Sequence, residues 1–173
     1  INFILWSIAG WILFVNVLIK FNINVNILDN FNKNVLFYCK NDNYLPIIKK
    51  IVQSGINYNL IVEDRNYLMF CGWWNMEKTL KYLVDYSQIN IHHLDNHNNN
   101  ILFYVTGLYS EQGNLELLNF LIDKGIDYKH INNDGYNLLF VAAGVGGYNY
   151  YDHEIMKYLL QMIELEHLDK ENN

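Results

Sequence analysis

The fold of this chain is decided by the phrase Ile89-Asn90-Ile91-His92-His93-Leu94-Asp95-Asn96, because versions of it recur along the sequence. The other copies begin at Ile23, Ile56, Ile126 and Ile163, so successive copies lie 33, 33, 37 and 37 residues apart. A second phrase, an asparagine followed two residues later by a leucine, keeps the same phase at Asn34, Asn66, Asn100 and Asn137. Two markers in one phase indicate an internal repeat.

Each repeat is predicted to contain a short helix, a turn, a second helix and an extended polar turn. The four asparagines stand where a helix begins, and an asparagine side chain can accept a hydrogen bond from a free backbone N–H there. The second helices carry apolar residues at positions that form one broad face of a helix. These sets are Ile47, Ile48, Ile51 and Val52; Leu80, Leu83 and Val84; Leu117, Leu118, Leu121 and Ile122; and Ile155, Met156, Leu159 and Leu160. The helix pairs are expected over residues 3–22, 34–55, 66–87, 100–125 and 137–162.

The repeats resemble ankyrin repeats, whose usual length is about 33 residues. The leucine of the family's opening phrase is kept at Leu36, Leu68, Leu102 and Leu139, whereas asparagine replaces its threonine and Phe or Met replaces its histidine. The family's small-residue pair survives as Ala142-Ala143, and its turn is clearest at Asn132-Asn133-Asp134-Gly135. The resemblance implies an all-α fold, an ankyrin-type helix-turn-helix solenoid with short extended turns between divergent repeats.

On this frame the chain is a single array, residues 1–173, with repeats of about 1–28, 29–61, 62–93, 94–130 and 131–167. Both ends are expected to be truncated, because neither carries the polar capping repeat with which natural arrays finish. The two longer repeats carry insertions around Thr106–Gly113 and Gly144–Asp152, and such insertions lie on one edge of a solenoid.

Composition excludes several classes of protein. The chain has 173 residues, of which 51% are hydrophobic and 17% charged, which is too apolar for a disordered tail. A net charge of −6 and a single arginine, Arg65, argue against a nucleic-acid binder, which needs clustered basic residues. The same balance favours a partner with a neutral or basic patch. Cys39 and Cys71 occupy the small-residue slot that Ala142 fills later, so we expect two buried free thiols in an intracellular, cytoplasmic protein.

No residues form a convincing catalytic or metal site. The cluster His92, His93, Asp95 and His97 lacks the second ligand pair of a zinc site and falls in a polar turn, where a histidine recurs as a packing residue. Gly144–Gly147 follows a helix and is not followed by the Lys-Ser/Thr pair of a phosphate-binding loop. Asp152-His153-Glu154 lacks the second histidine of a zinc protease helix. We therefore expect no enzymatic activity, no metal and no cofactor.

The stretch Phe3–Ile19 carries no charge, which raises the alternative of a membrane-anchored protein. A membrane-spanning helix needs about twenty predominantly apolar residues, so the stretch is borderline. The phrase that begins at Ile23 continues the repeat phase directly out of it. A repeat helix buried on both sides is therefore the favoured interpretation, and membrane association is not expected.

We expect protein–protein recognition on the concave face of a monomeric solenoid, because side chains at the turn tips there are not needed for packing and are available to bind a partner. The candidate partner-binding residues are Phe31, Arg65, Asn96, His97, Asn133 and Asp134 at turn tips, with Trp73 and Trp74 at the turn between the helices of the third repeat. The tryptophans either wedge against the insertion of the following repeat or expose an anchor for the partner.

Asparagine-rich ankyrin proteins of this kind resemble paralogue families of large DNA viruses that infect amoebae, and also those of some AT-rich protists. That resemblance implies presentation of a host protein in the host cytoplasm. A second alternative is therefore an adaptor that delivers a host protein to the ubiquitin machinery through a motif outside this sequence.

Overall fold

The computed structural model describes residues 13, 15–17, 19–21, 23–107, 113–144 and 152–171, and of residues 163–171 it describes the helical backbone only. The chain divides into two compact units, Ile1–Asn90 and Ile91–Asn173, called here the first and second units. The regular structure of these residues is helical, apart from one isolated antiparallel bridge between Val62 and Arg65. The predicted all-α class is therefore confirmed for this part of the chain.

The first unit begins with helical residues at 13, 15–17, 19 and 20. Two short 3₁₀ helices, Val35–Tyr38 and Asp42–Tyr44, precede helix α1 (Leu45–Gln53). Helices α2 (Tyr67–Trp73) and α3 (Glu77–Tyr86) form the next pair, and α1 packs against α3. The predicted pairs over 34–55 and 66–87 are found in place.

The opening helix of the 34–55 pair is a 3₁₀ turn rather than an α-helix. Asn41 lies in extended conformation, with φ −159° and ψ 162°, and its side chain accepts a hydrogen bond from Asn43 N at 3.0 Å. An asparagine that bonds to a nearby backbone N–H starts a new turn and competes with continuation of the preceding helix. The first helix of this repeat therefore ends at Tyr38.

The second unit contains α4 (Ile101–Thr106), α5 (Leu115–Asp123), α6 (Leu138–Ala142) and α7 (His153–Glu171). α5 packs on α4, α7 packs on α6, and α4 also contacts α6. Residues 108–112 and 145–151, which hold most of both predicted insertions and the Gly146-Gly147 pair, lie outside the described residues.

The last helix is longer than the sequence pattern predicts. The copy of the recurring phrase at Ile163 is expected to form a polar turn, yet α7 continues through it to Glu171. Between Met162 and Lys170 the chain has neither asparagine nor glycine to stop a helix, and its Glu, Leu and Lys residues favour helix. The turn prediction is therefore wrong for this copy.

The cores of both units are built from the predicted apolar faces, which are narrower than expected. Fully buried members are Ile47, Ile48, Ile51, Leu80, Leu83, Leu117, Leu118, Leu121, Ile155 and Leu159. The last member of each set lies at the edge of the face, and Leu160 is 47% exposed. Burial of each large aliphatic side chain stabilises the fold by about 1.5–3 kcal/mol, so these positions carry much of the packing energy.

The four phase-marking asparagines cap helices as predicted. Each Oδ1 accepts a hydrogen bond from a backbone N–H two or three residues later. The donors are the N–H groups of Leu36, Met69, Leu102 and Leu139, for Asn34, Asn66, Asn100 and Asn137, at 3.1, 3.1, 3.0 and 3.0 Å. These bonds satisfy backbone donors that have no partner inside the helix.

Three of these asparagines also join the start of a helix pair to the polar turn that follows the same pair. The Nδ2 groups of Asn34, Asn66 and Asn100 donate to the backbone carbonyls of Asn57, Asn90 and Asp127, at 2.9, 2.8 and 2.9 Å. A carboxamide provides a donor and an acceptor on one short side chain, which a hydroxyl cannot direct to both places at once. This double use is a physical reason for asparagine at the position where the resembled family has threonine.

Two further asparagines in the first unit form a second set of hydrogen bonds, which hold the polar turn of the next repeat. Each lies three residues after the isoleucine of the recurring phrase, and its amide both accepts from a backbone N–H and donates to a backbone carbonyl of the next copy. Asn26 bonds to Gly55 O at 3.0 Å and Asn57 N at 2.6 Å, and Asn59 bonds to Gln88 O at 3.1 Å and Asn90 N at 2.8 Å. His92 and Lys129 stand at the corresponding positions of the second unit.

The start of α3 is capped by a residue from the preceding repeat. Its own N-cap residue, Met76, provides no side-chain bond. Instead, Asp42 Oδ2 accepts from Lys78 N at 2.9 Å, and Asp42 Oδ1 accepts from Thr79 N and Thr79 Oγ1 at 2.9 and 2.8 Å. A carboxylate at a helix N-terminus also interacts favourably with the helix dipole.

We therefore expect Asp42→Ala to destabilise the first unit by about 1–2 kcal/mol, the usual cost of a lost N-cap. Asp42→Asn, which keeps one acceptor oxygen, should lose less than half of that. Urea denaturation followed by circular dichroism measures both. An alanine variant that unfolds at the wild-type urea concentration would contradict this capping role.

Candidate functional site

The predicted binding residues fall into two groups. Phe31, Arg65, Trp73 and Trp74 belong to the first unit, and Asn96, His97, Asn133 and Asp134 belong to the second. Phe31 is 73% exposed, and the four residues of the second unit are exposed as well.

Three of these residues occupy the same place in the same kind of turn. Asp29 Oδ1 accepts from Phe31 N at 2.8 Å and from Lys33 N at 2.9 Å, which folds the chain back and leaves the Phe31 ring at the tip. Asn32, the next residue, has a positive φ of 57°, which asparagine tolerates better than most residues. Asp95 and Asn132 make the matching bonds around His97 and Asp134. The turn-tip prediction is confirmed for Phe31, His97 and Asp134.

Arg65 does not lie at a turn tip. Its turn is one residue shorter than the others, and the Val62–Arg65 bridge closes it with backbone bonds of 2.9 and 3.0 Å. The tip consists of Glu63 and Asp64, which both have positive φ, of 50° and 65°. The Arg65 side chain is 15% exposed, and its guanidinium lies 5.8 Å from the centre of the Trp73 ring. Arg65 is therefore a packing residue, and its predicted role as an exposed tip is wrong.

Trp73 and Trp74 end helix α2 and form part of an aromatic cluster within the first unit. The Phe70 ring lies 6.0 Å from the Trp73 ring and 5.2 Å from the Trp74 ring. Phe37, from the preceding repeat, meets Phe70 edge-on at 5.2 Å. Both tryptophans are half-buried. The described ring contacts thus run toward the preceding repeat, while the insertion at 108–112 lies outside the described residues.

A groove of about 350 Å³ opens beside this cluster. It is lined by Phe31, Lys33, Phe37, Tyr38, Lys40, Glu63, Phe70 and Trp74. The Lys40 ammonium lies 5.3 Å from the centre of the Trp74 ring, and the Lys33 ammonium lies 3.1 Å from Glu63 Oε1. The groove brings together two predicted residues, Phe31 and Trp74, with a mixed aromatic and cationic lining.

Sequence reasoning missed Tyr38, Lys33 and Lys40. A signal was present for the first of them, because an aromatic residue stands four positions after the capping asparagine at Tyr38, Phe70 and Tyr104. Tyr38 is 54% exposed, and its hydroxyl donates a hydrogen bond to Asp29 Oδ2. That bond is the main reason why the pKa of Asp29 is lowered. The two lysines carried no comparable signal.

In the second unit the candidate residues are held by turn-to-turn hydrogen bonds. Asn133 N donates to His97 O at 2.9 Å, and Asn133 Nδ2 donates to Asn96 O at 3.1 Å. Asn133 therefore has a structural role in joining two turns. The His130 ring bonds to Asn98 O through Nε2 at 2.6 Å and meets the Phe103 ring edge-on, which confirms a packing role for this histidine.

A buried polar network lies beneath these turns. Asp95 Oδ2 accepts from Tyr104 Oη at 2.6 Å and from Asn99 Nδ2 at 2.9 Å, and Asn132 Nδ2 donates to Asn99 Oδ1 at 2.9 Å. All four residues are buried. Since buried polar groups must be paired, the network specifies how two neighbouring turns are aligned.

The pairs Asp29–Tyr38 and Asp95–Tyr104 provide a matched experiment on burial. Tyr104→Phe removes a buried hydrogen bond to a carboxylate and is expected to cost about 1–2 kcal/mol of unfolding free energy. Tyr38→Phe breaks an exposed bond, so it should hardly change stability and should instead raise the pKa of Asp29 toward its ordinary value. Urea denaturation and NMR titration of the Asp29 carboxyl carbon measure the two effects. Equal destabilisation by the two variants would contradict the role assigned to burial.

The thiols are buried as predicted. Burial raises the pKa of Cys39 to about 12, and burial also raises the pKa of Cys71 well above its ordinary value. A thiol that stays protonated at neutral pH is a poor nucleophile. Both thiols are therefore protonated at neutral pH in the folded protein.

The described residues lack both a cluster of metal ligands and a membrane-spanning helix. These residues contain no group of three His, Cys, Asp or Glu side chains placed to hold a metal ion. They likewise contain no helix that is both long and apolar enough to cross a membrane. Most of the predicted alternative membrane segment, Phe3–Ile19, lies outside them.

Comparison with known proteins adds no family assignment. No protein-family model matches the chain, and no curated protein matches it significantly.

Proposed function

We propose that this chain is an ankyrin-type repeat array that recognises another protein, without catalysis, metal or cofactor. The observation that carries the proposal is the groove of about 350 Å³ beside the turn tips of the first unit, with the exposed rings of Phe31 and Tyr38 at its rim. Tyrosine and tryptophan are enriched among the residues that dominate binding energy at protein interfaces, and Tyr38 and Trp74 both line this groove. The proposed role is that of a monomeric recognition module in the cytoplasm.

The recurring geometry of the turns supports the ankyrin-type arrangement. Helix-capping asparagines, turns built on Asp29, Asp95 and Asn132, and inter-repeat bonds all recur with the sequence period. In such an array the caps and cores fix the backbone, so the residues at turn tips can vary without loss of the fold. Phe31 in the first unit, and His97 and Asp134 in the second, occupy equivalent turn tips and differ in chemistry.

The Phe31 side chain does not pack in the core. Its backbone N–H holds the turn through Asp29, whereas its ring is largely exposed to solvent. Truncation of the ring therefore leaves the turn intact and removes a large apolar contact from the rim of the groove. This separation makes Phe31 the best position at which to test binding without changing the fold.

Affinity capture from the cell of origin tests the proposal, with wild type compared to Phe31→Ala. The matched control is Tyr86→Ala, which truncates another exposed aromatic ring at the end of α3. We expect a captured protein whose yield falls at least about tenfold with Phe31→Ala, equivalent to about 1.4 kcal/mol, and stays unchanged with Tyr86→Ala. Equal yields from all three proteins would overturn the groove as the binding face.

A further inference from the structure

We infer that the groove beside Phe31 accepts a peptide segment of the partner that carries an acidic side chain next to a large apolar one. This inference rests on the proposed function and specifies its ligand. The chain as a whole has a net charge of −6, which favours a neutral or basic partner. The charges that line the groove differ from the net charge of the chain, because the lining contains two lysines, Lys33 and Lys40, and one acid, Glu63.

Lys40 is the residue that makes the groove favourable for a negatively charged ligand. The Lys33 ammonium forms an ion pair with Glu63 at 3.1 Å, and Glu63 also lies 4.0 Å from the Arg65 guanidinium. Lys40 is exposed, and no ion pair of Lys40 occurs among the described residues. Its ammonium lies over the Trp74 ring at 5.3 Å, which holds it at the wall of the groove. A carboxylate that enters the groove would therefore meet a positioned cation that forms no ion pair among the described residues.

The apolar half of the ligand follows from the aromatic residues. Phe37 and Phe70 are almost fully buried and form the floor, while Phe31, Tyr38 and Trp74 leave ring surface open at the sides. Such a surface gains free energy when a large apolar side chain covers it. A volume of about 350 Å³ has room for one or two side chains of a peptide.

A basic ligand fits less well for two reasons. Its cation would approach Lys40 and meet like charge, and it would have to compete with Lys33 for the single carboxylate, Glu63. Like charges at an interface are a strong source of discrimination against the wrong partner. The residues that line the groove thus favour a peptide with an acidic side chain over a peptide with a basic one.

The test is selection from a phage-displayed library of random twelve-residue peptides on the full chain, followed by fluorescence anisotropy titration of the enriched peptides. Two variants are compared with wild type, Lys40→Glu and the matched control Lys49→Glu. Lys49 is also an exposed lysine of the first unit with its ammonium over an aromatic ring, Tyr82 at 5.2 Å, but it does not line the groove.

We expect enrichment of peptides with Asp or Glu adjacent to Phe, Trp, Tyr or Leu. Their dissociation constants should rise at least about tenfold with Lys40→Glu and less than about twofold with Lys49→Glu. A synthetic peptide in which lysine replaces the acid should in turn bind Lys40→Glu better than it binds wild type. Raising the salt concentration should weaken the wild-type complex, because an exposed charge pair is screened.

Three results would overturn the inference. Enriched peptides that are basic or uncharged, yet lost with Phe31→Ala, would remove the acidic specificity and leave the recognition function standing. Equal effects of Lys40→Glu and Lys49→Glu would do the same. A library that yields no peptide bound by the wild-type chain would count against both the inference and the groove as a recognition site.

Discussion

Leu121→Asp is expected to unfold the second unit of this protein. Leu121 is completely buried on the face of α5 that includes Leu117 and Leu118. Loss of the leucine alone costs about 2–5 kcal/mol, and an unpaired carboxylate in an apolar core adds several more. Since domains of this size are stable by only about 5–15 kcal/mol, the substitution removes most or all of the folding free energy. Circular dichroism and urea denaturation measure the loss.

The control for this prediction is Leu160→Asp in α7, which makes the same chemical change at a position that is 47% exposed. Both substitutions place aspartate in a helix and incur a similar loss of helix propensity. We expect Leu160→Asp to retain a cooperative transition within about 1 kcal/mol of wild type. If Leu121→Asp unfolded at the same urea concentration as Leu160→Asp, Leu121 could not lie in a closed core.

The sequence predicted the caps and most of the core, because those features depend on neighbours within a few residues. Asn34, Asn66, Asn100 and Asn137 cap helices through bonds to N–H groups two or three positions away. Such bonds are determined by the local chain, so period and residue type suffice to place them. The same period located Phe31, His97 and Asp134 at turn tips.

The position of Arg65 was not predictable from that period. One residue fewer between Ile56 and Asn66 converts a turn held by a side chain into a two-residue turn closed by backbone bonds. This shortening moves the tip to Glu63 and Asp64 and directs Arg65 onto Trp73. The change in side-chain direction arises from backbone geometry, which a match between repeated letters does not report.

The groove could not be predicted from the repeat pattern of the sequence, since it depends on contacts between repeats. Lys40 and Trp74 are 34 positions apart in sequence, and their proximity follows from the packing of one repeat on the next. The cap of α3 by Asp42 has the same origin. Features that arise between repeats require the relative placement of two helices, and the sequence period supplies only the internal order of each repeat.

Asn66→Ala is expected to destabilise the first unit by about 2–3 kcal/mol, because one side chain makes a buried and a part-buried hydrogen bond there. Its Oδ1 accepts from Met69 N at 3.1 Å, and its Nδ2 donates to Asn90 O at 2.8 Å. Asn66 is 2% exposed, so water cannot easily replace its buried bond to Met69. Alanine would leave a helix N-terminus uncapped and would remove the side-chain bond to the carbonyl of Asn90. Urea denaturation gives the change in unfolding free energy.

Asn66→Thr separates the two bonds, since a threonine hydroxyl can cap α2 but cannot also reach the carbonyl of the next turn. We expect it to cost about half as much as Asn66→Ala, and we expect Asn43→Ala, at an exposed asparagine, to cost almost nothing. The residue that the resembled family uses at this position would thus be the poorer choice here. If Asn66→Thr were as stable as wild type, the bond to Asn90 would contribute nothing to the stability of the first unit.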